Sequence, residues 1–354
     1  MKIQFRPSLQ LIVLVRIAKK ILYSLYLRVD LECFPPIDSV ITEYSNEIAS
    51  TIKNLFSGQN IPSFTEKQIF GIVRSLNSEI HEWLYDHKEI LSCYDRYLFE
   101  SLCWLSYGII DRPETALRLI QDANVKTKER FVLSCAYFFD DHAEILWEQM
   151  SPFDRRCIIR KYRTMDCIKY RTDKLRQVTS PVKINSIQMF DHIKDKNYFS
   201  DNSLGLRCFF KEMNPDVKYL CLSYHIERHA IHHFDLYLCF AEMDIWDLKS
   251  IFCTLNETHR FWIFKSLLKF PLQYLFADVV TQLGTYISRF NFRNVLHFIL
   301  YKRMQEGWHD FDYIPLMKYL WLNYPKGHRS SYKKDKSYDL FERVVWTPPE
   351  KDKH

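Results

Sequence analysis

Glycine occurs only seven times in 354 residues, about 2% where about 7% is usual, so few positions allow a positive φ or a close approach of backbone to a ligand. Helices suffer least from that shortage. No two glycines lie within five residues of each other, so neither the G-x-G-x-x-G turn of dinucleotide-binding folds nor the G-x-x-x-x-G-K-[ST] loop of nucleotide hydrolases occurs. Apolar side chains are plentiful, with 26 Phe, 22 Tyr and 8 Trp, enough to offset the cost of ordering a backbone.

Apolar periodicity places the helices. Ser8, behind Pro7, reads as an N-cap for apolar residues running from Leu9 to Leu27. Pro35 and Pro36 then break the chain, and Asp38 opens a second helix with Val40, Ile41, Tyr44, Ile48, Ile52 and Leu55 at helical spacing, ended by Ser57-Gly58. Ser63 with Glu66 has the form of a capping box ahead of Ile69, Val73, Leu76, Ile80 and Trp83 or Leu84. Asp111 before Pro113, and Ser151 before Pro152, read as caps followed by proline at the first helical position. Hairpin turn pairs and long alternating β-branched runs are missing, so the expected class is all-α. Short loops are expected at Ser57–Ser63, Ser180–Asn185, Asn214-Pro215 and Gly284.

One sentence of sequence recurs around Asp111, Asp140, Asp244 and Asn291: an aromatic-rich helix, an Asp or Asn, then an aliphatic or aromatic pair. The first two instances lie about 30 residues apart, a spacing that suits helical hairpins burying their faces by stacking. The expected architecture is an irregular α-solenoid of stacked helical hairpins, about fifteen to eighteen helices in all. It would occupy residues 1–324 with a sub-boundary near 179–186, followed by a basic, partly disordered tail over 325–354. Within that tail, Tyr338 to Trp346 carries the apolar residues for a docking helix.

Pro7-Ser8-Leu9-Gln10, Trp104 to Arg118 (WLSYGIIDRPETALR) and Phe131 to Met150 (FVLSCAYFFDDHAEILWEQM) carry a resemblance. In these stretches the first half of the chain resembles a lineage-expanded set of uncharacterised arachnid proteins with degenerate helical, ankyrin-like repeats. The resemblance implies a helical array and brings no catalytic or binding residues. T-P-L-H-x-A itself is absent, and so are the glycines an ordinary ankyrin turn needs.

Ten cysteines show no C-x-x-C and no regular spacing, and most stand among apolar neighbours. Reduced thiols and an intracellular site are expected, cytoplasmic rather than nuclear. Arg16, Lys19 and Lys20 interrupt the first apolar run, which argues against a signal peptide or transmembrane span.

Two constellations could carry chemistry. Were residues 221–233 one helix, Cys221, His225, His229 and either His232 or His233 would share a face and could ligate zinc. The glutamate of H-I-E-R-H, however, is misplaced for a zinc peptidase, and histidines facing water at a turn explain the pattern equally well. The second is charge: residues 154–178 hold Arg155, Arg156, Arg160, Lys161, Arg163, Lys169, Arg171, Lys174 and Arg176 against three aspartates, so the remainder of the chain sums to zero. With Tyr162 and Tyr170 interleaved, this stretch could meet nucleic acid or another acidic partner, or be the solvated face of a helix pair. No nucleophile motif is present, no cofactor is implied, and the expected function is non-enzymatic protein binding.

Overall fold

The computed structural model describes residues 4–26, 45–57, 62–92, 96–177, 202–211 and 213–346. The expected break at Pro35-Pro36, the Asp38 cap, the sub-boundary near 179–186, Cys33 and Cys93 lie outside those residues. Nineteen α-helices run through the described chain: α1 (Leu9–Tyr26), α2 (Ser45–Leu55), α3 (Ser63–His87), α4 (Arg96–Ser101), α5 (Arg112–Gln121), α6 (Thr127–Ala136), α7 (Asp140–Gln149), α8 (Pro152–Lys161), α9 (Asp166–Gln177), α10 (Leu206–Phe210), α11 (Pro215–Glu227), α12 (His233–Glu242), α13 (Ile245–Thr254), α14 (Glu257–Ser266), α15 (Phe276–Leu283), α16 (Arg289–His297), α17 (Tyr313–Asn323), α18 (Lys326–Tyr332) and α19 (Tyr338–Trp346). A π-helical segment, Phe298–Met304, continues α16. Among the described residues no strand forms; one isolated antiparallel bridge joins Trp104 and Ile110. The protein is all-α, and none of its described helices is long and apolar enough to cross a membrane.

Capping side chains set many of the starts. Ser8 accepts from Leu11 N at 3.1 Å, Ser151 from Asp154 N at 3.1 Å and Asp244 from Asp247 N at 2.8 Å. Asp111 caps α5, with Pro113 as the second helical residue rather than the first. Asn214, expected in a loop, instead caps α11 and accepts from Val217 N at 2.9 Å, and Pro215 fills the first helical position. The capping box at Ser63 and Glu66 does not form, because the helix already begins at Ser63 behind Pro62 and no side chain caps it.

Buried residues gather into two clusters. One draws on Leu11 through Ile168 and the other on Leu206 through Val345; Ile109 crosses into the second and Phe270 into the first. Within each, helices pack on near neighbours in sequence: α5 on α6, α6 on α7, α11 on α13 and α14, α14 on α16, α16 on α18. The exception is α3, a 25-residue spine. Ile69, Ile72, Val73, Leu76, Ile80 and Trp83 are all fully buried, each stabilising by about 1.5–3 kcal/mol over an exposed position. Its other face reaches elements about 200 residues further on. Gln68 donates to Tyr274 at 3.2 Å, Ser75 to Asp310 at 3.1 Å, and the Arg74 guanidinium to the Glu306 carbonyl at 2.7 Å. A simple open stack, in which each hairpin touches only its neighbours, does not describe these contacts.

The expected disorder at the start of the tail is not what the structure holds: residues 326–332 form α18. Tyr332 is 1% exposed and stacks edge-on among Phe292, Trp321 and Phe341. A single buried aromatic anchors a segment whose lysines Lys326, Lys333, Lys334 and Lys336 stay in solvent. Tyr338–Trp346 docks on its own chain, burying Phe341 and Val345.

Candidate functional site

A polar junction lies where α3 meets the start of α12. Glu79 and Glu82, three residues apart, share a face of α3. His232 is the backbone N-cap of α12 and makes no capping bond with its side chain, and His233 is the first helical residue. Glu79 accepts from the Ile110 amide at 3.2 Å through Oε1, and its Oε2 lies 3.1 Å from His232 Nε2. Glu82 accepts from Lys269 Nζ at 2.8 Å through Oε1 and turns Oε2 toward both imidazoles, 3.7 Å from His232 Nε2 and 3.9 Å from His233 Nδ1. Among the described residues these four form a group with the atoms to hold a metal ion.

Electrostatics here are dominated by burial. It drives both imidazoles well below the ordinary histidine range, aided at His232 by Arg112 and at His233 by its neighbour His232, so both are neutral. Burial also raises Glu79, opposed by Arg112. At Glu82 burial raises the carboxyl, but the Lys269 ammonium 2.8 Å away outweighs it and keeps the group ionised, below the ordinary carboxylate range. Arg112, 2% exposed, donates to Asp86 at 2.7 Å. Burial pulls its guanidinium down, and Asp86, Glu79 and Asp235 raise it by more. Asp235, buried beside it, is pushed up to about 6 by burial, opposed by Arg112 and Arg207. A cavity of about 330 Å³, lined by Glu79, Glu82, His233, Lys265, Lys269 and Trp308 among others, opens beside the junction.

Cys221, His225, His229 and either His232 or His233, expected to share a helix face, do not. The helix stops at Glu227. His229 takes φ +54, its N–H bonds the Ile226 carbonyl, and Ala230 N–H returns to the His225 carbonyl at 3.0 Å. That is a Schellman ending with histidine where glycine is usual. Cys221 and His225 stay buried within α11, the Cys221 thiol pushed up to about 12 by burial. His229 stacks on Trp262 with ring centres 5.0 Å apart. Of the set, the structure brings together His232 and His233, and it adds Glu79 and Glu82, which the sequence reading passed over. Their signal was an acid at position 79 inside the apolar stripe of Leu76, Ile80 and Trp83.

The basic stretch divides. Arg155 donates to the Trp147 carbonyl at 2.8 Å and the Glu148 carbonyl at 3.1 Å, closing the end of α7. Arg171 is buried on Asp140. Tyr162 is 7% exposed and donates to the Glu89 carbonyl at 2.9 Å, which leaves it no open ring face for a base. Tyr170 is half-buried under Lys174. Arg156, Arg160, Lys161, Arg163, Lys169 and Arg176 remain exposed.

Near the C-terminal end of α3, His87 Nδ1 donates to the Trp83 carbonyl at 2.6 Å and Nε2 accepts from Tyr137 Oη at 2.8 Å. Burial depresses this imidazole from 6.5 to about 3, against the Trp83 bond that raises it and with Arg112 lowering it further. Because the folded form refuses a proton that the unfolded chain accepts, stability falls as pH drops below about 6.5 and goes on falling until the folded imidazole protonates near about 3. Between about pH 7 and pH 5 the loss through His87 is expected to be about 2 kcal/mol. His87→Leu should lack that part of the slope in urea unfolding at the two pH values. Equal slopes in variant and parent would refute the assignment.

The chain matches no protein-family model and no curated protein.

Proposed function

We propose that this protein is a non-enzymatic interaction scaffold acting in the cytoplasm, an irregular α-solenoid of stacked hairpins whose hairpin turns hold a partner protein. One observation carries the reading. The second residue of four separate helices is an aromatic side chain left in solvent: Phe64 at 49%, Phe153 at 65%, Trp246 at 75% and Phe290 at 46% exposure. A single exposed aromatic is ordinary, but four at the same step of a helix start form a recurring set of the side-chain type enriched at the cores of protein interfaces. The eight described cysteines are free thiols, in keeping with a reducing compartment. Acidic-ligand binding through 154–178 is the weaker reading, since Arg155, Arg171 and Tyr162 serve packing.

Changing Phe153, Trp246 and Phe290 together to serine should leave stability within about 0.5 kcal/mol per site, as these positions bury little. Cross-linking of the full chain in cells, read by mass spectrometry, should lose the partner cross-links that map to helix starts. An unchanged cross-link map in a folded triple variant would remove the proposal.

A further inference from the structure

The strongest unexplained feature of the junction is a pair of lone pairs that face each other. His233 Nε2 lies 2.9 Å from the Phe270 carbonyl oxygen, and a carbonyl can only accept, so the ring proton sits on Nε2. Nδ1 is thereby left bare. It is buried, meets no hydrogen-bond partner among the described residues, and points to the Glu82 carboxylate 3.9 Å away. A bare lone pair facing a carboxylate oxygen across that gap is a place where a bound cation would be stabilised. A histidine whose far nitrogen is tied to a backbone carbonyl is also the usual outer arrangement of a metal ligand, because the bond fixes tautomer and ring orientation.

The geometry points to a closed site for a divalent first-row transition ion, zinc being the natural occupant, held by Glu79, Glu82, His232 and His233. One ligand atom from each residue lies within 4.8 Å of one from every other. Around zinc, with bonds of about 2.0–2.2 Å, neighbouring ligand atoms of a tetrahedron stand about 3.4 Å apart. The separations of 3.1, 3.7 and 3.9 Å between imidazole nitrogens and carboxylate oxygens bracket that edge. Small side-chain rotations would complete it. Two imidazoles with two carboxylates suit zinc better than calcium or magnesium, which prefer oxygen alone.

Lys269 does not compete for the same place, since it holds Oε1 of Glu82 and leaves Oε2 directed inward. The adjoining cavity, which Glu79, Glu82 and His233 help to line, gives an ion a way in. Four protein ligands leave no open position, so the ion would bind structure rather than catalyse. Its effect follows from the two pairs it joins, 153 residues apart in the chain: it would clasp the spine α3 to the start of α12, across the boundary between the two core clusters.

The full chain, stripped with a chelator and titrated with zinc against a chromogenic competitor, should take up one ion per molecule. Zinc at about 100 times its dissociation constant should raise the folded-to-unfolded ratio in urea about 100-fold. Cobalt in its place should give the strong visible absorption of a four-coordinate ion. Glu82→Gln and His233→Ala should each weaken binding by more than about 100-fold, beyond what loss of an outer partner does. His229→Ala, on the exposed turn, should bind as the parent does. The parent chain alone decides the matter should a variant fail to fold: no stoichiometric zinc under competition, or a weak six-coordinate cobalt spectrum, overturns the site. So would zinc retained by a folded Glu82→Gln/His233→Ala double variant.

Discussion

Arg112→Met is expected to lower the free energy of unfolding by about 3–5 kcal/mol, the range for removing one partner from a buried ionic group. The methionine would fill much of the same space, so lost packing is not the cause. The loss comes from the acids left behind. Asp86 loses a bond of 2.7 Å, and Glu79 and Asp235, both 4% exposed, lose the cation that offsets their burial. Pairing Arg112→Met with Asp235→Asn should therefore recover part of the stability, because one uncompensated carboxylate is gone. Arg112→Lys should fall between, since an ammonium keeps the charge without the planar fork. Should the double variant be no more stable than Arg112→Met in urea unfolding, the charge account fails and packing must be blamed instead.

The helices were legible in the sequence because their determinants are local. Ser8, Ser151 and Asp244 act on amides within three residues, and the stripe from Ile69 to Leu84 is visible as period alone. Even the missed cap at Asn214 carried its signal in the proline that follows. What the sequence did not show is which surfaces meet. Glu79 and His232 are 153 residues apart, and no periodicity within either helix names the other. His229 misled for a related reason: the Schellman turn normally announces itself with glycine, and a histidine at φ +54 conceals where α11 ends. In the tail, a count of lysines outweighed one tyrosine, although burial of Tyr332 settles whether that segment packs.

Gly71→Ala should be destabilising even though alanine is the better helix former by about 1 kcal/mol. Gly71 faces the backbone of the segment that carries His309 and Asp310, on the side of the other core cluster. A Cβ there would stand 2.3 Å from Asp310 N and 2.5 Å from His309 C, both main-chain atoms that no rotamer change can move aside. The segment carrying Asp310 would have to retreat by about 1 Å, and that retreat strains every bond on its carboxylate. Asp310 is fully buried and accepts from Ser75 at 3.1 Å, Tyr313 at 3.1 Å and Gln273 at 3.3 Å. Overpacking of this kind costs about 1–3 kcal/mol, and loosening a buried carboxylate adds to it, so a net loss of about 2 kcal/mol or more is expected. Gly284 supplies the contrast: its Cβ would meet only the Tyr324 hydroxyl, at 3.5 Å, and Gly284→Ala should be neutral or stabilising by up to about 1 kcal/mol. Amide hydrogen exchange locates the damage. Protection in Gly71→Ala should fall along 268–275 and 303–313, where α3 meets the second cluster, and hold in α6 and α7. Protection lost equally everywhere, or a variant as stable as the parent, would mean that α3 does not seat the two cores through this contact.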